Sequence, residues 1–118
     1  MVVGGWRPGK GNRAGGVGSL LLAIPVEDGL RYVGRAGSGF TDRGLAEAAR
    51  LLDALARRDS PMLEVPREDA RDAHSVEPDL VGEVFYTGAT NAGRLRHPVW
   101  IGWRPDLKPD DVVWENPV

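Results

Sequence analysis

The sequence of 118 residues contains no cysteine. Disulfides, cysteine-ligated zinc, iron–sulfur clusters and thiol chemistry are therefore excluded. Histidine is scarce: His74 and His97 are too few for a multi-histidine metal site, and no metal site is expected. Lysine is scarce as well, with Lys10 and Lys108 the only lysines among 15 basic residues. Arginine is the better fork for phosphate, although the same bias follows from a GC-rich genome. No apolar run approaches the roughly 18 residues of a membrane span, and no signal-peptide pattern opens the chain. No membrane partner is expected, and the cytoplasm is the default location.

What is present is globular in character. Hydrophobic residues make up 42% and charged residues 27%, and the length fits a single domain over residues 1–118. The 16 Gly and 9 Pro favour many turns and short strands over a helical bundle. The net charge is only −2, but the charges are sorted. Met1 to Leu22 carries Arg7, Lys10 and Arg13 and no acid; Val84 to Pro105 carries Arg94, Arg96 and Arg104 and no acid. Between them, Asp59 to Glu83 holds eight acids against Arg67 and Arg71. Basic segments that met in the fold would make a positive face for an anionic polymer. The plainer alternative is ordinary solvated loops.

Val2-Val3 reads as strand, followed by a basic glycine-rich loop over Arg7 to Gly18. Leu20 to Ile24 is an apolar run of strand length, Glu27-Asp28-Gly29 a turn, and Leu30 to Arg35 the alternating partner of a hairpin. Thr41 to Arg58 reads as the one helix. Thr41 is its cap, Arg57 and Arg58 sit at its negative end, and Leu45, Ala48, Leu52 and Leu55 form its apolar stripe. A proline-punctuated connection of about twenty residues follows. Leu80 to Tyr86 is the next strand and Asn91 to Gly93 a turn. Arg94 to His97 with Val99 to Trp103 makes the last strand, interrupted at Pro98, which belongs at an edge or bulge. The order is that of an all-β, five-stranded OB-fold Greek-key barrel with one helix between strands 3 and 4.

Familiar catalytic motifs fail on context. Gly4 to Lys10 matches the start of a phosphate-binding loop, but Gly11 stands where a Mg²⁺-binding hydroxyl is needed, and a strand follows instead of a helix. Gly37-Ser38-Gly39 opens a dinucleotide-like pattern whose third glycine position is Asp42. No Ser–His–Asp arrangement stands out, and no self-contained catalytic site is visible.

One combination is more specific. Val3-Gly-Gly-Trp-Arg-Pro-Gly-Lys-Gly11 and Gly93-Arg-Leu-Arg-His-Pro-Val-Trp-Ile-Gly-Trp-Arg-Pro-Asp106 together resemble ATP-dependent DNA ligases. Gly18-Ser-Leu-Leu-Leu22, Leu30-Arg-Tyr-Val-Gly-Arg35, Gly37-Ser-Gly-Phe40 and Val76-Glu-Pro78 fit the same pattern. The likeness is to the bacterial end-joining branch, spans Val2 to Glu115, and concerns the C-terminal OB domain of such enzymes.

The resemblance implies a nucleotidyltransferase domain of the same ligase, carrying the adenylated lysine in a K-x-D-G motif. That motif is not in these residues, so the chain alone is not expected to ligate DNA. ATP and Mg²⁺ are implied as cofactors of the parent ligase, with none held by this domain alone. The family's last motif, R-x-D-K, falls on Arg104, Pro105 and Asp106, with Leu107 at the lysine position and Lys108 one residue later. In the family it reaches the triphosphate of ATP and orients pyrophosphate for departure. The resemblance thus names Arg104, Asp106 and Lys108 as site residues; a structural ion pair between Arg104 and Asp106 is the alternative. Ser75 replaces a common tryptophan, and Thr87 to Thr90 replaces an acidic-aromatic segment.

A ligase must grip any sequence, so phosphate contacts should dominate. Arg7, Lys10, Arg13, Arg31, Arg35, Arg94 and Arg96 are the candidate DNA contacts; Arg35 and Arg96 are equally placed to pair with the acidic connector. Trp6, Trp100, Trp103 and Trp114 are candidates for base stacking or, more simply, for packing. The implied partners are nicked or broken double-stranded DNA and end-joining factors, in a nucleoid-associated cytoplasmic setting. The competing readings are a stand-alone single-stranded nucleic-acid-binding OB protein and an interaction module docking through the acidic connector.

Overall fold

Backbone pairing starts from the apolar runs. In the computed structural model, which describes residues 1–10 and 16–113, β1 (Val2–Pro8), β2 (Val17–Val26) and β3 (Gly29–Ala36) form an antiparallel meander. The β2–β3 turn falls at Glu27-Asp28, where Gly29 takes φ +140°, a conformation that favours glycine. Residues Leu20 to Ile24 are all buried, and alternation along a strand then requires cover on both faces of β2. Leu20, Leu22 and Ile24 join Val3, Val33, Ala48 and Leu52 in the inner core. Leu21 and Ala23 join Tyr32 and Met62 in a second cluster outside the sheet.

That outer cluster is covered by the acidic connector, which is more ordered than its proline-rich composition suggests. After β4 (Ala56–Arg57), which precedes it, it contains β5 (Met62–Leu63), a single helical turn α2 (Arg67–Ala70) and β6 (His74–Val76). The sheet runs β4-β6-β1-β2-β3-β5, with β5 parallel to β3. Met62, Val65 and Ala73 form the connector's apolar underside. Its strands are two or three residues long, too short to show a period.

The second sheet pairs β7 (Gly82–Phe85) with β8 (Val99–Trp103). Backbone bonds tie the segments that lead into β7 and β8 to the two outer strands of the meander. Val3 N–H donates to the Leu80 carbonyl at 3.0 Å, and Leu95 N–H donates to the Val33 carbonyl at 2.7 Å. The result is a sheet-dominated, OB-like fold, with α1 (Asp42–Asp53) between β3 and β7 in chain order.

Three boundaries differ from expectation. The helix is capped as expected, Thr41 Oγ1 accepting from Gly44 N–H at 2.9 Å, but it ends at Asp53 and not at Arg58. The reason is long-range: Glu77 N–H takes the Leu55 carbonyl at 2.8 Å, and Ala56-Arg57 pair with β6. Arg50 is therefore the basic residue of the last turn. In the strand expected over Leu80 to Tyr86, Val81 pairs with Val2 of β1 instead, and β7 begins at Gly82. The last strand divides at Pro98. Residues 94–96 pair back on 87–90 around the Asn91–Gly93 turn, while His97 takes φ +53° and β8 begins at Val99.

Candidate functional site

Arg104 follows β8 directly, and its backbone N–H donates to the Val81 carbonyl at 2.8 Å. The side chain grips Asp106 in a fork: Nε to Oδ1 at 3.0 Å and Nη2 to Oδ2 at 2.8 Å. Nη1 lies 3.9 Å from Glu83 Oε1 on β7, an ion-pair distance but not a hydrogen bond. One edge of the guanidinium, Nε with Nη2, is thus engaged, and Nη1 faces a looser carboxylate. The fork raises the Arg104 pKa and lowers that of Asp106, so both stay charged.

A turn follows, closed by Leu107 N–H to the Arg104 carbonyl at 3.1 Å. Leu107 lines a cleft of about 390 Å³ with Leu51, Leu80, Val81, Trp103 and Arg104. Its apolar side chain suits that wall. Lys108 lies beyond the turn, exposed, its backbone N–H donating to Asp111 Oδ2 at 2.9 Å. Arg104 and Asp106 are thus brought together, and Lys108 stands apart from the fork.

The basic residues proposed from sequence fall into separate groups. Arg35 on β3 pairs with Asp69 of α2, Nη1 to Oδ1 at 3.4 Å. The other oxygen of Asp69 accepts the Tyr32 hydroxyl at 2.7 Å. Arg94 lies over the Tyr32 ring, 5.2 Å from its centre, and donates to the carbonyls of Glu64 at 3.0 Å and Ala92 at 3.2 Å. Arg7 donates to the Arg71 carbonyl at 3.3 Å. The Arg31 guanidinium stands beside Gly93. Arg96 and Lys10 are exposed, and Arg13 lies outside the described residues. Arg7, Arg35 and Arg94 therefore meet the connector as well as solvent.

The tryptophans divide similarly. Trp100 is buried, stacked on Phe40 at 5.5 Å with Trp103 edge-on at 4.8 Å, so it serves packing. Trp6 stacks on His74 at 4.1 Å. Trp114 lies outside the described residues. Sequence reasoning missed Tyr32, Asp69 and Glu83 as partners of the candidate arginines. Tyr32 and Asp69 are 37 positions apart, and the connector joins them only by packing Met62, Val65 and Ala73 onto the cluster that holds Tyr32. Among the described residues no group of three acidic or histidine side chains is placed to hold a metal ion, and no helix is long and apolar enough to cross a membrane.

The model of the ATP dependent DNA ligase C terminal region matches residues 13–107. The chain belongs to that family. It is 49% identical over 116 residues to the multifunctional non-homologous end joining protein LigD of Mycolicibacterium smegmatis, covering 98% of this chain and 15% of that protein. DNA ligase 2 of Korarchaeum cryptofilum is 35% identical over 135 residues, covering 100% of this chain and 22% of that one. The crystal structure of the ligase domain of M. tuberculosis LigD superposes with a TM-score of 0.91 at 46% identity, over 97% of this chain and 37% of that one. A mycobacterial DNA ligase D complexed with ATP and MES gives a TM-score of 0.85, also at 46% identity, over 97% of this chain and 36% of that one. The chain thus spans a small fraction of these relatives, and the match to the ligase domain also bears out the OB-like fold expected from strand order.

Proposed function

We propose that residues 1–118 act as the C-terminal OB domain of an ATP-dependent end-joining DNA ligase, beside a nucleotidyltransferase domain that carries the adenylated lysine. In that setting the domain has two tasks. It grips nicked or broken duplex DNA without reading sequence, and it presents Arg104 to the triphosphate of ATP during enzyme adenylation.

What supports the second task is the Arg104-Pro-Asp106 string at the place of the family's last motif, with the guanidinium held in one orientation by Asp106. When the lysine amine attacks the α-phosphorus, pyrophosphate leaves with growing negative charge, and a preset cation beside it lowers the barrier. Asp106 fixes the guanidinium through Nε and Nη2, and Nη1 would exchange the looser Glu83 carboxylate, 3.9 Å away, for phosphate oxygen. This is a donor set suited to phosphate. Mg²⁺ would be held by groups outside these residues. Lys108, past the turn, is a secondary phosphate contact at most, with Leu107 committed to the cleft wall. A single-stranded nucleic-acid binder has no use for such a fork, so that alternative is the weaker one.

The test is single-turnover kinetics in the complete ligase. Arg104→Ala should slow enzyme adenylation by about a hundredfold or more, as removal of a charge-assisted contact to developing charge does. Sealing of an already adenylated nick should be nearly unchanged, because that step expels AMP and not pyrophosphate. Equal loss in both steps would make Arg104 a structural residue and overturn the assignment.

A further inference from the structure

The connector carries its acids over the same face that offers arginines. Asp69 is mostly covered, its side chain 17% exposed, and its carboxylate is shared between the Tyr32 hydroxyl and Arg35. Arg35 is half out in solvent, at 47%. Arg94, beside the same ring, is held differently. Its described acceptors, Ala92 and Glu64, are backbone carbonyls, and Glu64 presents its carbonyl from φ +64°. A carbonyl fixes a guanidinium without neutralising it, whereas a carboxylate does both. One arginine of the pair is therefore positioned and still charged; the other is compensated by an internal anion.

We infer that Arg94 and Arg35 each take a DNA backbone phosphate on the outer face of β3, and that Asp69 is a built-in anion competing with phosphate for Arg35. The inference rests on the DNA-gripping reading above and names what regulates that grip. Exchange needs no unfolding. The connector stays docked through Met62, Val65 and Ala73, the Tyr32–Asp69 bond remains, and only the exposed Arg35 side chain moves from carboxylate to phosphate. Arg94 is the permanent contact and Arg35 the conditional one. The connector thereby sets how many phosphates the face holds, which suits an enzyme that must release its product.

The test uses the 118-residue chain and a nicked duplex of mixed sequence, with binding followed across several salt concentrations. Asp69→Asn keeps an acceptor for the Tyr32 hydroxyl and removes the charge. It should tighten binding about threefold at low salt, and one added phosphate contact should steepen the log–log salt dependence by about 0.9. In an Arg35→Ala background the same substitution should change nothing. Tyr32→Phe, which loosens the connector but leaves the carboxylate, should not tighten binding. Arg94→Ala should weaken binding more than Arg35→Ala does. A second measurement needs no variant: the Asp69 carboxyl carbon resonance should move as DNA saturates the wild-type chain. A stationary resonance, or unchanged affinity in Asp69→Asn, overturns the competition while leaving the DNA-gripping reading in place. A wild-type chain with no salt-dependent binding overturns both.

Discussion

Tyr32 sits on β3 with its ring in the outer cluster and its hydroxyl 2.7 Å from Asp69 Oδ2. Burial, then the hydrogen bond to Asp69, push its pKa well above the usual 10.0. The folded state therefore holds this proton more tightly than the unfolded chain does. Its contribution to stability is complete below pH 10 and is lost as pH rises beyond that value. Thermal denaturation from pH 8 to 11 should show that decline in the wild type and a smaller one in Tyr32→Phe. At neutral pH Tyr32→Phe should cost about 1–2 kcal/mol, the value of a hydrogen bond to a charged acceptor less what water returns to Asp69. Equal pH profiles would remove the role given to this bond. At this scale the sequence was uneven in what it disclosed. Arg104 and Asp106 were legible because they lie two positions apart inside a recognisable string, and the fork between them is as local as their spacing. Asp69 lay in an acidic run that reads as solvated, and its partners come from β3, far away in sequence.

Among the elements, β2 and the start of α1 were legible for opposite reasons. β2 is a continuous apolar run because both its faces are covered. The helix start is local chemistry, a threonine oxygen meeting an N–H three residues on. The helix end was not legible, because a competing strand partner at Ser75-Val76 decides it. The cap can be checked directly: Thr41→Ala should lower stability by about 1 kcal/mol in denaturant unfolding, with the slope unchanged. A sharper element-scale prediction concerns the β7–β8 pair. The six-membered ring of Trp100 lies against Gly82, so a Cβ there would run into it. Trp100 is held on its other sides by Phe40 and Trp103 and has little room to give. Gly82→Ala should destabilise the domain by about 1–3 kcal/mol, as overpacking does. Gly102→Ala, with open space at its Cβ, should cost much less. A neutral Gly82→Ala in the same unfolding assay would mean that the hairpin is looser than this packing implies.

For the molecule as a whole, strand order carried the architecture, and the order was readable because turns at Glu27-Asp28 and Asn91–Gly93 are written in turn residues. The charge sorting was readable too, but its meaning was not. The acidic segment does not simply separate two basic ones; it folds back over the sheet, Arg7 and Arg94 donate to it, and Arg35 forms an ion pair with it. A chain of net charge −2 therefore offers phosphate only those arginines that the fold leaves free or lends out. This makes the proposed grip weak, electrostatic and indifferent to sequence. The most direct measurement is equilibrium binding of the 118-residue chain to two nicked duplexes of unrelated sequence at several salt concentrations. The two duplexes should bind alike, with affinity falling linearly in log salt by about 0.9 per phosphate held. Tight binding that ignores salt, or that distinguishes the two sequences, would contradict the account.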